Sequence, residues 1–398
     1  MKVKINDNFD NLAENYLFSD INKKIAKYKE KNKNADIIKL GIGDVTLPLG
    51  KSVVDALIKA SNEMAFKDTF RGYPPEYGYD FMKEALIKYY KRFNVNLDLE
   101  SIFISDGAKS DLGNIVDIFG DNEIYIPNPV YPVYLDSNLM AGRNINYIVG
   151  NEENNFLPLP TKDIKEGSII YLCSPNNPTG SAYSYEDLKK WVDFAIKNES
   201  LIIYDSAYEA FIDNDLCPHS VYEIENAKKC AIEVSSFSKQ AGFTGLRCGW
   251  TIIPLELISN SHSINKLWKR RQATKFNGVS YPVQRAAEAA LSDMGILECK
   301  NNIKYYMENA LMLSKLFDEK NIYYSGGKSS PYIWFKCPNN MSSWDFFDYL
   351  LENANVVGTP GVGFGIHGEG YFRITSFNTH EKTKEAIERL KKVLWYEN

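Results

Sequence analysis

Residues 235–250 read SSFSKQAGFTGLRCGW. Lys239 follows a run of serines, Arg247 comes eight residues later, and everything between them is small, apolar or uncharged. Surface segments carry more charge than this, and core segments usually carry none. The stretch grows out of CAIEVSSF (230–237), an apolar, β-branched run that reads as a buried strand. In open parallel sheets ligands sit at the carboxyl ends of strands. A lysine just past such an end is therefore a candidate ligand-binding amine.

Similar runs recur on both sides. SIFISDG (101–107), EIYIPNP (123–129), SIIYLCSP (168–175), SLIIYDSAY (200–208) and CGWTIIP (248–254) are rich in β-branched or aromatic residues and end in turn formers. Between two of them, SYEDLKKWVDFAIKN (184–198) sets Leu188, Trp191, Val192 and Ala195 on one helical face, with Ser184 as N-cap. Apolar strands alternating with amphipathic helices predict an α/β fold, a mostly parallel sheet between helices. This layout fills residues 50–285, the expected large domain. Residues 10–33 read as a helix with Leu17, Ile21, Ile25 and Tyr28 in register. After residue 286 come two long helical stretches flanking NIYYSGGKSSPYIWFKC, then GYFRITSF and a closing helix. Residues 1–49 and 286–398 together predict a smaller α+β domain built from both chain ends.

The bulk numbers narrow the classes. With 398 residues, 44% hydrophobic and 24% charged, the chain is long enough for two cores and too apolar for disorder. A net charge of −5 argues against nucleic acid or an anionic membrane as the partner. No run of about 18 apolar residues predicts a membrane span, and the first residues, MKVKINDNFDNLAENYLF, lack a signal peptide's apolar stretch. Six singly placed cysteines and four isolated histidines predict neither a disulfide frame nor a metal site. A reducing, cytoplasmic home is expected.

Reading the strand ends in order collects Gly107-Ala108-Lys109, Tyr131, Asn176-Asn177, Asp205 with Tyr208, and Ser236-Ser238-Lys239 with Arg247. A lysine with a pKa near 10.4 is free amine in only about one molecule in a thousand at neutral pH, so a nucleophilic one must be desolvated. Asp205 closes LIIYD and, on a central strand, is a buried carboxylate in need of a cation. Arg247, the serine hydroxyls and a helix start after Gly107 describe a phosphate cradle. An aldehyde for the lysine, a pyridinium for the aspartate and a phosphate for the arginine together make pyridoxal 5′-phosphate. Each residue alone has a commoner explanation: a surface lysine, a turn-capping aspartate, an arginine in a surface ion pair. The set, in this order and always at strand ends, favours the cofactor. GFGIHG (363–368) matches a dinucleotide fingerprint but has no βαβ unit after it, and GAKS (107–110) lacks the glycine spacing of a phosphate loop.

SPNNPTG, YDSAYEAF and SFSKQAGFTGLRCGW resemble the fold-type I pyridoxal phosphate-dependent aminotransferases of the aspartate aminotransferase superfamily. KLGIGDVTLPL, RGYPPEYGYDFMKEA, ISDGAKSDLGNI, PNPVYPVYLDSN and TKFNGVSYPVQ narrow the resemblance to the LL-diaminopimelate aminotransferase group, over nearly the whole chain. The resemblance implies that Lys239 bonds the cofactor and shuttles the substrate proton, that Asp205 holds the ring nitrogen, and that Tyr131 stacks on the ring. It implies that Asn177 and Tyr208 contact the ring oxygen. Ser236, Ser238, Arg247 and the Ala108-Lys109 backbone would hold the phosphate, joined by Tyr73 of a second subunit.

The same resemblance makes Arg373 the clamp for the substrate α-carboxylate, beside Asn177, and lets that carboxylate approach the backbone at Gly43. Tyr16, Glu76 and Asn277 would reach the site across a homodimer interface. Glu76 and Lys109, with Asn277 and Tyr131, would read the distal ammonium and carboxylate of an LL-diaminopimelate-type substrate, exchanged against 2-oxoglutarate. Gln240 and Trp250 depart from the pattern, where threonine and tyrosine are expected. The same chemistry on lysine or another amino acid, a fold-type I lyase and a cofactor-binding regulator without turnover are the other readings. The regulator would need an attached DNA-binding module, usually basic, and the first 40 residues hold too few helical elements to make one.

Overall fold

The computed structural model describes residues 1–13, 17–41 and 43–394, apart from the Phe18 side chain. Seven strands form the large sheet: β1 (Ile102–Ser105), β2 (Ile124–Asn128), β3 (Ile145–Val149), β4 (Ile169–Cys173), β5 (Leu201–Asp205), β6 (Ala231–Ser236) and β7 (Gly249–Ile252). Their order is β1-β7-β6-β5-β4-β2-β3. β7 pairs antiparallel with both β1 and β6, while the other pairings are parallel. The carboxyl ends of the remaining strands therefore share one edge.

The interior strands are buried along their length except at Leu201, which is half-buried, as continuous apolar runs require when helices cover both faces. β3 was not expected from the sequence. It lies at the sheet edge with mostly exposed or half-buried residues, so INYIV needs no apolar run to hold its place. The helix Tyr185–Lys197 forms as its pattern predicts: the Ser184 side chain accepts from the Asp187 N–H, and Leu188, Trp191, Val192 and Ala195 are buried. Complete burial of side chains the size of Leu188 or Val192 is worth roughly 1.5–3 kcal/mol each.

At the amino end the described helix runs Leu17–Lys31; of the expected 10–33, Asp10 and Asn11 belong instead to a 3-10 turn, Asp7–Asn11, and residues 14–16 lie outside the described residues. Leu17, Ile21 and Ile25 are buried in a second core. The chain's two ends meet there. Ile38–Lys39 pairs parallel with Val356–Val357, and a four-stranded sheet follows from β8 (Tyr324–Gly326), β9 (Tyr332–Lys336), β10 (Thr359–Pro360) and β11 (Tyr371–Thr375). Its order is β8-β9-β11-β10, all antiparallel. The helix Asp293–Glu319 joins the cores, giving Ile296 and Cys299 to the first and Leu313, Leu316 and Phe317 to the second. No described helix is long and apolar enough to cross a membrane.

Candidate active site

Past Ser236 the chain turns into a single helical turn, Phe237–Gln240, capped by the Ser236 hydroxyl, which accepts from the Ser238 N–H at 3.1 Å. Phe237 is fully buried and anchors the turn. Lys239 is thereby held at the mouth of β6. Its ammonium donates to the Gly43 carbonyl and lies 5.7 Å from the Phe377 ring centre. Burial lowers its pKa to about 8; Arg373 and Arg247 push the same way, and Asp44 opposes them.

Asp205 ends β5 and is 5% exposed. Its carboxylate accepts from the Tyr134 hydroxyl at 2.6 Å and from the Ala207 N–H at 3.0 Å. Burial raises its pKa, and these two hydrogen bonds pull it back. No described cationic side chain forms an ion pair with it. A buried carboxylate with only neutral partners is costly, and a cationic ring nitrogen would balance it.

Arg247 has a left-handed backbone, φ +64°, a strained conformation for a side-chain-bearing residue. Its guanidinium reaches the Ser238 hydroxyl (3.3 Å) and the Thr244 carbonyl (3.2 Å). It also packs over Gly107, where a Cβ would stand 2.5 Å from Nη2. Only glycine leaves the arginine this room, and its φ of +135° favours glycine too. The helix Ala108–Asn114 starts immediately afterwards.

Arg373, on β11, is 1% exposed. One of its terminal nitrogens donates to Asn177 Oδ1 at 2.6 Å, the other to the Gly41 carbonyl at 2.5 Å and the Thr359 hydroxyl at 3.2 Å. Its plane lies 4.4 Å from the Tyr332 ring centre and 4.7 Å from that of Phe364. These contacts hold a fork-shaped donor at the boundary between the two cores.

One cavity of about 310 Å³ joins these groups. Gly43, Ala108, Lys109, Tyr131, Asn177, Asp205, Tyr208, Ser236, Ser238, Lys239, Arg247 and Arg373 all line it. The sequence reading missed Leu112, Ala207, Thr244 and Tyr332, which line it as well, and Tyr134 behind Asp205. Tyr134 sits in the first turn of the helix Val133–Met140, its ring edge-on to that of Tyr131 at 6.2 Å, and its contact with Asp205 has no counterpart in the local sequence. Tyr332 carries no local signal.

Tyr73, Glu76 and Asn277 do not line this chain's cavity; Tyr73 is 88% exposed, and Asn277 is exposed too. Tyr16 lies outside the described residues. Gly43 faces Tyr332, whose hydroxyl would be 2.3 Å from a Cβ placed there, so the glycine makes room for a tyrosine. The two departures from the family pattern point away from the cavity. Trp250 donates to the Tyr90 hydroxyl at 2.9 Å in the core, and Gln240 lines a neighbouring cavity with Phe211 and Cys299.

A parallel α/β sheet that presents a desolvated lysine, an unpaired buried carboxylate and a serine–arginine cradle at its carboxyl edge is the scaffold of a pyridoxal phosphate enzyme. Residues 35–390 match the aminotransferase class I and II family, and the chain belongs to it. The enzymes of this family are pyridoxal phosphate-dependent transaminases. An LL-diaminopimelate aminotransferase of Methanosphaera stadtmanae is 49% identical over 412 aligned positions, covering 99% of this chain and 100% of that one. One of Bacteroides thetaiotaomicron is 50% identical, covering 97% and 98%. Among solved structures, the L,L-diaminopimelate aminotransferase of Chlamydomonas reinhardtii superposes with a TM-score of 0.93 at 40% identity, covering 99% of each chain.

Proposed function

We propose that this chain is an LL-diaminopimelate aminotransferase, exchanging an amino group between LL-2,6-diaminopimelate and 2-oxoglutarate by a ping-pong route. The observation that carries the reading is a single cavity lined by a pKa-lowered lysine, an unpaired buried carboxylate and a buried arginine fork. Its support at the level of substrate is the near-complete match to relatives of that name.

The donor set fits pyridoxal 5′-phosphate, which when bound supplies an aldehyde for the amino group and a protonated ring that accepts electrons from the substrate Cα. Lys239 would bond that aldehyde with loss of water until the substrate amine displaced it, and its freed amine would then take the Cα proton and return it on the other side of the transfer. Asp205 would keep the ring nitrogen protonated, and Tyr131 would cover the ring face. Asn177 and Tyr208 would donate to the ring oxygen. Ser236, Ser238, Arg247 and the backbone at Ala108-Lys109 would hold the phosphate, and Arg373 would grip the α-carboxylate beside Gly43.

We further propose that the large unit spans 50–285 and the small one 1–49 with 286–398, and that a second copy of the chain completes the site. Tyr73, Glu76 and Asn277 have the chemistry the site needs yet do not line this chain's own cavity. Near them Ile58, Phe66 and Phe70 are each more than half exposed, a patch that favours burial against a partner. The absence of a membrane-spanning helix among described residues and the singly placed free cysteines support a cytoplasmic location.

The reaction is tested by adding single amino acids to the cofactor-loaded protein and following its absorbance. Conversion to the amino form by LL-diaminopimelate and by glutamate is expected. Conversion by lysine without diaminopimelate would keep the transaminase and discard the substrate. Glu76→Gln should raise the KM for LL-diaminopimelate about tenfold, by loss of one charge-assisted contact, and leave that for glutamate within about twofold. Equal changes would remove Glu76 from recognition of the distal ammonium.

Shared sites make a second expectation. Lys239→Ala and Tyr73→Ala chains should each be nearly inactive, and mixing them should regenerate activity in mixed dimers, where one of the two sites carries neither change. No recovery after demonstrated subunit exchange would refute the sharing of Tyr73.

A further inference from the structure

Tyr332 is a polar cavity residue for which no functional role has yet been given. It opens β9, beside β11, where Arg373 pairs with Trp334. Tyr332 is thus the diagonal neighbour of Arg373 on the same sheet face. Only 1% of it is exposed, and it sits in a cluster with Tyr208, Phe211, Tyr306 and Phe377. Its ring lies under the Arg373 guanidinium, and its hydroxyl is 2.6 Å from the hydroxyl of Tyr208. One side chain therefore touches a residue of each unit: the candidate carboxylate clamp on one side, the candidate ring-oxygen donor on the other.

Either hydroxyl of the pair is able to donate, so the charges around them decide. Burial raises the pKa of both, but Arg373 pulls Tyr332 back more effectively, while Tyr208 is pushed well above its ordinary value by burial and by Tyr332 itself. The other groups acting on Tyr332 are Asp205 and Cys173, and on Tyr208 Arg373 and Cys173. With the Arg373 guanidinium stacked 4.4 Å from its ring centre, Tyr332 is polarised by an adjacent cation and is the better donor of the pair. With Tyr332 donating, the proton of Tyr208 is left to point into the cavity, and a hydroxyl that accepts one hydrogen bond donates a stronger one.

We infer that Tyr332 is a positioning residue that links the Arg373 clamp to the cofactor's ring oxygen through its hydrogen bond to Tyr208. The inference rests on the functional reading above. An anion seated on Arg373 neutralises the charge that makes Tyr332 a donor, so occupancy of the clamp is transmitted to the proton equilibrium of the lysine–cofactor bond. The Asn177 contact of Arg373 gives a parallel route that does not pass through Tyr332.

The test is an absorbance titration against pH of the cofactor-loaded wild type, Tyr208→Phe, Tyr332→Phe and the double variant, each with and without saturating glutarate as an unreactive carboxylate probe. A hydrogen bond to the ring oxygen stabilises its anionic form, so weakening that bond raises the midpoint. Tyr208→Phe should raise it, and Tyr332→Phe should raise it by a smaller amount, about 0.3–0.6 pH unit or a two- to fourfold change in proton affinity. The double variant should match Tyr208→Phe alone, and Tyr332→Phe should reduce the glutarate-induced shift.

An unmoved midpoint in Tyr332→Phe, or additive shifts in the double variant, would overturn the link while leaving the Tyr208 reading intact. An unmoved midpoint in Tyr208→Phe would overturn both. Tyr332→Leu gives an independent check, because it also removes the ring beneath Arg373: the KM for glutamate should rise about tenfold, against less than about threefold for Tyr332→Phe. Equal KM values in the two variants would overturn the ring's role in holding the clamp.

Discussion

Lys239→Ala should fold and dimerise, bind pyridoxal phosphate without a covalent bond, and lose amino transfer by a factor of at least about 10⁴. Two jobs disappear together, since the same nitrogen bonds the cofactor and moves the Cα proton, and no other described lysine near the cavity is buried as Lys239 is. Steady-state turnover, with reduction by borohydride to reveal the covalent bond, is the measurement. Retained transamination would refute the assignment.

Burial makes a second expectation with a definite sign. The folded pKa of Lys239 is about 8, against about 10.4 for a lysine in water. Between those values the unfolded chain binds more protons than the folded one, so the stability of the cofactor-free protein rises with pH across that window. Below pH 8 the penalty is fully present. Lys239→Met keeps the side-chain volume and removes the charge. At pH 7 its cofactor-free form should therefore be more stable than the parent by on the order of 2 kcal/mol, with the difference shrinking towards pH 10. Denaturant unfolding at several pH values checks this, and a pH-independent difference would mean that the ammonium carries no such strain.

Much of this was legible in the chain because the large sheet writes itself into the sequence. A strand covered on both faces needs an unbroken apolar run, and β1, β2, β4, β5, β6 and β7 each lie within a run quoted from the sequence. β3 escaped because an edge strand with exposed side chains needs no such run. Lys239, Asp205 and Asn177 were found for the same reason, since they stand at or just past strand ends that are predictable. Arg373 emerged only through resemblance, since a lone arginine in a strand looks like surface. Tyr332 and Tyr134 emerged only in three dimensions. Each acts by touching a residue far away in sequence, 124 positions for Tyr332 and Tyr208, 71 for Tyr134 and Asp205, and such pairings leave no period to read.

Asp205→Asn is the change expected to rank next to loss of Lys239. It preserves shape and the hydrogen bond from Tyr134, yet leaves the ring nitrogen without an anion, so kcat should fall about 10³-fold with a smaller change in KM. The buried carboxylate also sets how cofactor binding stabilises the protein. In the cofactor-free chain burial raises the Asp205 pKa above its value in water. The ionised form is then a liability that persists at pH values above the folded pKa and disappears only as pH falls below the unfolded value. A cationic ring nitrogen removes that liability at neutral pH. Adding pyridoxal phosphate should therefore raise the Tm of the wild type by several degrees more than that of Asp205→Asn. Tyr134→Phe tests the contact behind it: without the hydroxyl the carboxylate gains protons more readily, so the acidic limb of kcat/KM should move to higher pH while the alkaline limb stays. If Asp205→Asn kept most of its turnover, or gained as many degrees from the cofactor as the wild type, the carboxylate would not be the partner of the ring nitrogen, and the cofactor would have to lie the other way round in the cavity.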